Sequence, residues 1–126
     1  MFDLRSGARI RKGEVIVKIS ARRLDQTTIF DVSGDIDMSN SLEVRKALLG
    51  EIREAKKSRV VLNLTDVRYI DSSGVASLVE GLKASRESGS RFVLFGLSAA
   101  AREVLKISRL LKLFEIYEDE EQAMSA

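Results

Sequence analysis

The segment Tyr69-Ile70-Asp71-Ser72-Ser73-Gly74 brings together a carboxylate, two adjacent hydroxyls and a glycine. It follows a β-branched run and opens a stretch with helical apolar spacing, which places the hydroxyls at a helix start. There the first backbone N–H groups lack intrahelical partners and the helix dipole favours anions. A phosphate ester on Ser73, with about −1.5 to −2 charges, is tolerated at such a place. The helix end is worth roughly 0.3–1 kcal/mol to that anion. The modification would change what the surface binds, because pressing a dianion onto an apolar or acidic partner is costly. Local chemistry leaves a second reading open: Ser72 as helix cap, Ser73 at the first position, and Gly74 allowing close packing.

Other chemistries are poorly served. The 126 residues include no His and no Cys, which removes the commonest general base, the commonest metal ligand and any thiol nucleophile or disulfide. Around Ser72 only the final Gly of a G-x-S-x-G elbow is present. No Gly-Lys-Ser/Thr P-loop and no G-x-G-x-x-G occurs. Asp35-Ile36-Asp37 opens like a calcium loop, but Asn40 and Lys46 stand where Gly and Glu are needed. Asp31, Asp35 and Asp37 fit a loose Mg²⁺ site or, more simply, ordinary loop acids. The expectation is a non-enzyme with no catalytic residues, no metal and no cofactor.

The elements that would position Ser73 follow from periodicity. Glu14–Ser20 alternates with Val15, Val17 and Ile19 on one face, and Thr27–Val32 with Thr28, Phe30 and Val32, which suggests a hairpin. Asn40 is a candidate helix cap with Glu43 in capping-box position, ahead of the stripe Val44, Leu48, Ile52 and Ala55. Arg59–Leu64 and Arg91–Phe95 read as strands covered on both faces. Between them, Val75, Leu78, Val79 and Leu82 mark a helix ending near Ser88-Gly89. Ser98 caps a third helix carrying Val104, Leu105 and Ile107, and the remainder suits a short helix, an edge strand and an acidic final turn. The order β-β-α-β-α-β-α predicts an α/β domain with a mixed four- to five-stranded sheet and helices mainly on one face.

Length and composition bound the rest. A chain of 126 residues, 44% apolar and 32% charged, holds one domain. Residues 1–13 lack periodicity and carry four Arg/Lys, so they read as a basic, mobile extension before a domain at 14–126. The net charge of +2 combines +4 over residues 1–25, +3 over residues 26–114 and −5 over residues 115–126. Direct DNA binding is therefore not expected, and salt-dependent contact of the basic start with nucleic acid is the test of the contrary. No run approaches a membrane span, and MFDLRSGARI has no secretory apolar region, so a cytoplasmic protein without membrane insertion is expected, monomeric or weakly dimeric.

Four stretches in order carry a family resemblance covering about residues 14–118: Ser33-Gly34-Asp35-Ile36-Asp37; Val60–Leu64; Tyr69–Val75; and Phe95–Ser98 with Val104-Leu105 and Leu110–Phe114. The chain resembles the STAS domain of the anti-sigma factor antagonist (SpoIIAA-like) type. The resemblance implies a module that binds a serine-kinase anti-sigma factor, is released when that kinase phosphorylates the second Ser of D-S-S-G, and is reset by a serine phosphatase. Carried over, Ser73 is the acceptor, with Asp37, Ser39, Asn40, Asp71, Ser72 and Gly74 as partner-binding positions. Ser72 is the implied cap, and Gly74 gives the backbone clearance for approach. Two departures stand out: Ala99 replaces a frequent Pro, and Ser108-Arg109-Leu110 a frequent Ser-Gly-Leu, where a left-handed backbone would be strained. The alternatives are a non-switching scaffold subunit of an ABC lipid-transport or stress-signalling complex, and a small nucleotide-binding protein.

Overall fold

The computed structural model describes residues 17–126 and, nearer the start, the backbone of β1 (Phe2–Asp3) and β2 (Ala8–Arg9). β1 and β2 pair antiparallel; the rest of the expected basic extension, and residues 14–16 of the expected first strand, lie outside the described residues. The main sheet runs in the order β3 (Lys18–Leu24), β4 (Thr27–Ser33), β5 (Arg59–Asp66), β6 (Arg91–Phe95) and β7 (Glu115–Tyr117). β3 and β4 form the antiparallel hairpin, turning at Asp25-Gln26; the other pairs are parallel. The first strand reaches four residues beyond the expected Ser20, because Arg22 and Arg23 find carboxylate partners from an edge strand.

Among the described residues, four helices join and cover the strands: α1 (Ser41–Ala55), α2 (Ser72–Ser88), α3 (Ala99–Ile107) and α4 (Glu120–Ser125), with a 3-10 turn at Leu111–Leu113. Strand side chains alternate between faces. Phe30, Val32, Val60, Leu62, Leu64, Phe92 and Leu94 meet Val44, Leu48 and Ile52 of α1, Leu78 and Leu82 of α2, and Leu105 of α3. Ile29, Val61, Val93 and Phe95 point the other way, under Ala123 of α4. This is the expected α/β sheet with helices mainly on one face, plus one short helix on the other.

Two local expectations need correction. Ile107 is 75% exposed, because α3 stops there and leaves its side chain off the buried stripe of Ala101 and Leu105. Asn40 occupies the α1 cap position, but its side chain makes no capping bond. It holds the preceding loop instead, accepting from the Asp37 N–H (3.0 Å) and donating to the Asp35 carbonyl (2.8 Å). Asp31, Asp35 and Asp37 do not converge on a cation: Asp31 receives Arg22 and Asn63, and no metal-holding cluster of acids occurs among the described residues. The departure at Arg109 does take a left-handed backbone, with φ of 60°.

Candidate functional site

The site forms where β4 and β5 end side by side. Parallel pairing of the two strands continues past their ends through an isolated bridge between Ile36 and Ile70. The Ile36 N–H donates to the Tyr69 carbonyl and the Asp71 N–H to the Ile36 carbonyl, both at 3.0 Å. The β4–α1 loop and the start of α2 are thereby fastened as one surface. Ile36 and Ile70 are fully buried, which anchors both loops in the core.

Asp71, not Ser72, caps α2. Its Oδ1 accepts from the Gly74 N–H at 2.9 Å and from the Ser73 hydroxyl at 2.6 Å, while Oδ2 accepts from the Met38 N–H at 3.0 Å. Both Asp and Ser are good caps; the Asp71–Ile36 backbone bond decides by holding Asp71 in extended geometry outside the helix. Burial pushes the Asp71 carboxyl up, but the donors of Ser73, Gly74 and Met38 outweigh it and hold the group below the usual carboxylate range. Asp71 is therefore an anion at neutral pH, orienting the Ser73 hydroxyl rather than deprotonating it.

Ser72 is exposed on the first turn and Ser73 half-buried beside it. Gly74 is buried and faces inward: a Cβ there would stand 2.6 Å from Ile70 Cγ2 and 2.9 Å from both Cγ2 and the carbonyl of Ile36. Its lack of a side chain thus serves the joining of the two loops, not outward clearance. On the facing loop, Asp37 accepts from the Ser39 N–H (2.9 Å) and hydroxyl (2.6 Å), so Asp37, Ser39 and Asn40 form one hydrogen-bonded turn opposite Ser73.

Sequence reasoning missed the apolar part of this surface. Met38 is 82% exposed, Leu42 55% and Tyr69 47%: Met38 bonds to Asp71, Tyr69 lies two residues before it, and Leu42 lines the space beside Ser72 and Ser73. Leu42 carried a readable signal, since it lies off the Val44–Leu48–Ile52 stripe; Met38, in a polar loop, carried none. Alongside runs an open groove between α1 and α2, lined among others by Ser41, Arg45, Ser72, Ser73, Ala76 and Lys83. Its floor is closed by Ser77, whose hydroxyl is within hydrogen-bond distance of the carbonyls of Ser41 (3.0 Å) and Ser73 (3.2 Å). Ser98 ties α3 to the same end, donating to the Arg68 carbonyl and accepting the Ala101 N–H.

A five-stranded mixed sheet whose paired β4 and β5 ends present a D-S-S-G helix start is the architecture of a STAS domain. The chain belongs to that family, whose model, described as the STAS domain, matches residues 18–123. Among its relatives are the anti-sigma factor antagonists: it is 37% identical over 103 residues to the anti-sigma-B factor antagonist of Listeria monocytogenes, covering 81% of this chain and 80% of that protein. A putative anti-sigma factor antagonist of Thermotoga maritima superposes with a TM-score of 0.77 at 25% identity, over 85% of this chain and 92% of that one. The Bacillus cell fate determinant SpoIIAA in its phosphorylated form shares the fold, with a TM-score of 0.66 at 19% identity over 85% and 96% of the two chains. No helix among the described residues is long and apolar enough to cross a membrane.

Proposed function

We propose that this chain binds an anti-sigma factor that is itself a serine kinase, and that phosphorylation of Ser73 by that kinase ends the binding. The observation that carries the reading is the Asp71 carboxylate, which joins the Ser73 hydroxyl, the first turn of α2 and the Met38 backbone within one exposed surface. Relatives named as anti-sigma factor antagonists and a fold neighbour named in a phosphorylated form support it. The unmodified surface offers Met38, Leu42 and Tyr69 as apolar contacts, with Asp37, Ser39, Asn40 and Ser72 as the polar rim. In the transfer, Ser73 Oγ bonds to the γ-phosphorus of ATP as the bond to ADP breaks, and the hydroxyl proton goes to a base of the kinase. The chain holds no His, so base and nucleotide both come from the partner. The phosphoseryl dianion then lies against the apolar contact and costs several kcal/mol in the complex. A serine phosphatase resets the module, and the cycle runs in the cytoplasm with the chain as a monomer or weak dimer.

The test is a capture experiment from a lysate of the source organism with wild-type, Ser73→Ala and Ser73→Glu baits, and mass spectrometry of both bait and captured proteins. Wild type and Ser73→Ala are expected to retain the same small serine kinase, with ATP releasing the wild type and leaving Ser73→Ala bound. Ser73→Glu is expected to capture roughly tenfold less, matching a penalty of about 1.4 kcal/mol. Release of Ser73→Ala by ATP, or equal capture by Ser73→Glu, overturns the assignment. A shared transporter ATPase on all three baits makes the chain a scaffold subunit.

A further inference from the structure

The Ser73 hydroxyl donates to Asp71 Oδ1, and a phosphorylated Oγ has no proton to donate. In the same rotamer the phosphate would lie beside a carboxylate that the Gly74 and Met38 N–H groups hold in place. Like charges at that separation repel, so the modified side chain turns to another staggered position. Ser73 also lines the groove between α1 and α2, together with Ser41, Leu42, Arg45, Ala76 and Glu80. The charged groups around this space are Arg45 from α1, Glu80 and Lys83 from α2, Asp71 from the cap and Asp37 from the β4–α1 loop.

Arg45 is the cation placed to answer a phosphate here. It is exposed and forms no ion pair with any described residue. Helical side chains lean toward the N-terminus of their own helix, and Ser41, one turn before Arg45, lines the same groove. Ser41 stands level with the opening of α2, because the Ser77 hydroxyl contacts the carbonyls of both Ser41 and Ser73. Lys83 lies ten residues along α2 from Ser73, about 15 Å away along the axis. A guanidinium is also the better fork for phosphate oxygens.

We propose that Arg45 captures the phosphoseryl group of Ser73 inside the α1–α2 groove, so that phosphorylation fills the groove as well as charging the surface. The inference rests on Ser73 being the acceptor, as proposed above. It makes Arg45 a positioning residue for the modified state, with no role required of it in the unmodified fold.

The experiment installs phosphoserine at position 73 during translation, with a phosphoserine-charged suppressor tRNA, so that no kinase is needed. The second ionisation of the phosphate is followed by ³¹P NMR in otherwise wild-type, Arg45→Gln and Lys83→Gln proteins, with circular dichroism confirming the fold of each. Capture by Arg45 favours the dianion, so Arg45→Gln is expected to raise the apparent pKa by about 0.5 pH unit or more, and Lys83→Gln to leave it in place. An Arg45→Gln titration that superimposes on the wild type, or an equal shift from Lys83→Gln, overturns the proposal. Absence of Ser73 phosphorylation by any kinase in the lysate would defeat the functional reading alone, since this titration does not depend on it.

Discussion

The two faces of the sheet are closed by different physics. On the face carrying α1, α2 and α3, an extended cluster running from Val17 to Phe114 is sealed by apolar contact. On the opposite face, Ile29, Val61, Val93 and Phe95 are covered by α4, which contributes Ala123 and part of Met124. That helix is held by guanidinium groups: Arg59 donates to the carbonyls of Ala123 (3.2 Å), Met124 (2.9 Å) and Ala126 (2.8 Å), Arg91 to Ala126, and Arg22 to Glu120. Cations at a helix C-terminus satisfy its unpaired carbonyls and suit its dipole. The larger cluster thus lies under the Ser73 surface, where Ile36 and Ile70 hold the two loops in register. The other face needs only to be kept dry.

The contrast is tested most strongly by truncating one side chain on each face. Leu78 is fully buried in α2, so Leu78→Ala should cost about 2–5 kcal/mol through lost burial and the cavity left behind. Met124 is half-buried at the edge of the second cluster, and Met124→Ala should cost less than about 1 kcal/mol. Urea unfolding of both variants measures the difference. Equal losses would mean that α4 contributes apolar stabilisation on the same scale as α2, and the distinction between the faces would fall.

A second substitution removes the polar clamp itself. Arg59→Ala deletes three hydrogen bonds to the end of α4, and charged donors of this kind are typically worth about 1.5–3 kcal/mol. Much of that is recovered by water once α4 detaches, so a global loss of about 1–2 kcal/mol is expected. The more telling readout is hydrogen exchange: the amides of Gln122 and Ala123, which donate to the α4 cap residue Asp119, should lose protection while those of Gly74 and Val75 keep theirs. Loss of protection at both places would show that the faces open together.

These differences also explain what could be read from the sequence. The buried strands and α2 were legible because apolar contact leaves a period: Thr28, Phe30 and Val32 alternate, and Val75, Leu78, Val79 and Leu82 repeat with the helix. The end of β3 and the extent of α4 were not, because Arg22, Arg23 and the acidic tail are held by charge and carbonyl contacts that leave no period. At the site, Ser73 and its neighbours were legible as a cluster, but the capping residue was ambiguous between Asp71 and Ser72 until Ile36 was seen to bind the Asp71 N–H. The Asp71–Met38 bond spans 33 residues and joins two loops with no shared pattern. Met38 becomes a site residue only when those loops meet.

One polar anchor breaks the pattern of the apolar face, and its pH dependence measures how much. Glu51 of α1, with a side chain only 8% exposed, accepts from Arg23 at 2.7 and 2.9 Å and from the Thr28 hydroxyl at 2.6 Å, tying the helix to β3 and β4. The Arg23 guanidinium holds the Glu51 carboxyl below the usual range, burial opposes this, and the Thr28 hydroxyl adds to the lowering. A carboxyl depressed on folding contributes stability that is present above its unfolded pKa, about 4.3, and is lost as pH falls through the folded value. Glu51→Gln should therefore be less stable than the wild type by about 1.5 kcal/mol at pH 7, with the gap closing below about pH 4. Urea midpoints of the two proteins across that range test the point. A gap independent of pH would mean that Glu51 acts through packing, leaving the α1–α3 face as apolar in its energetics as in its composition.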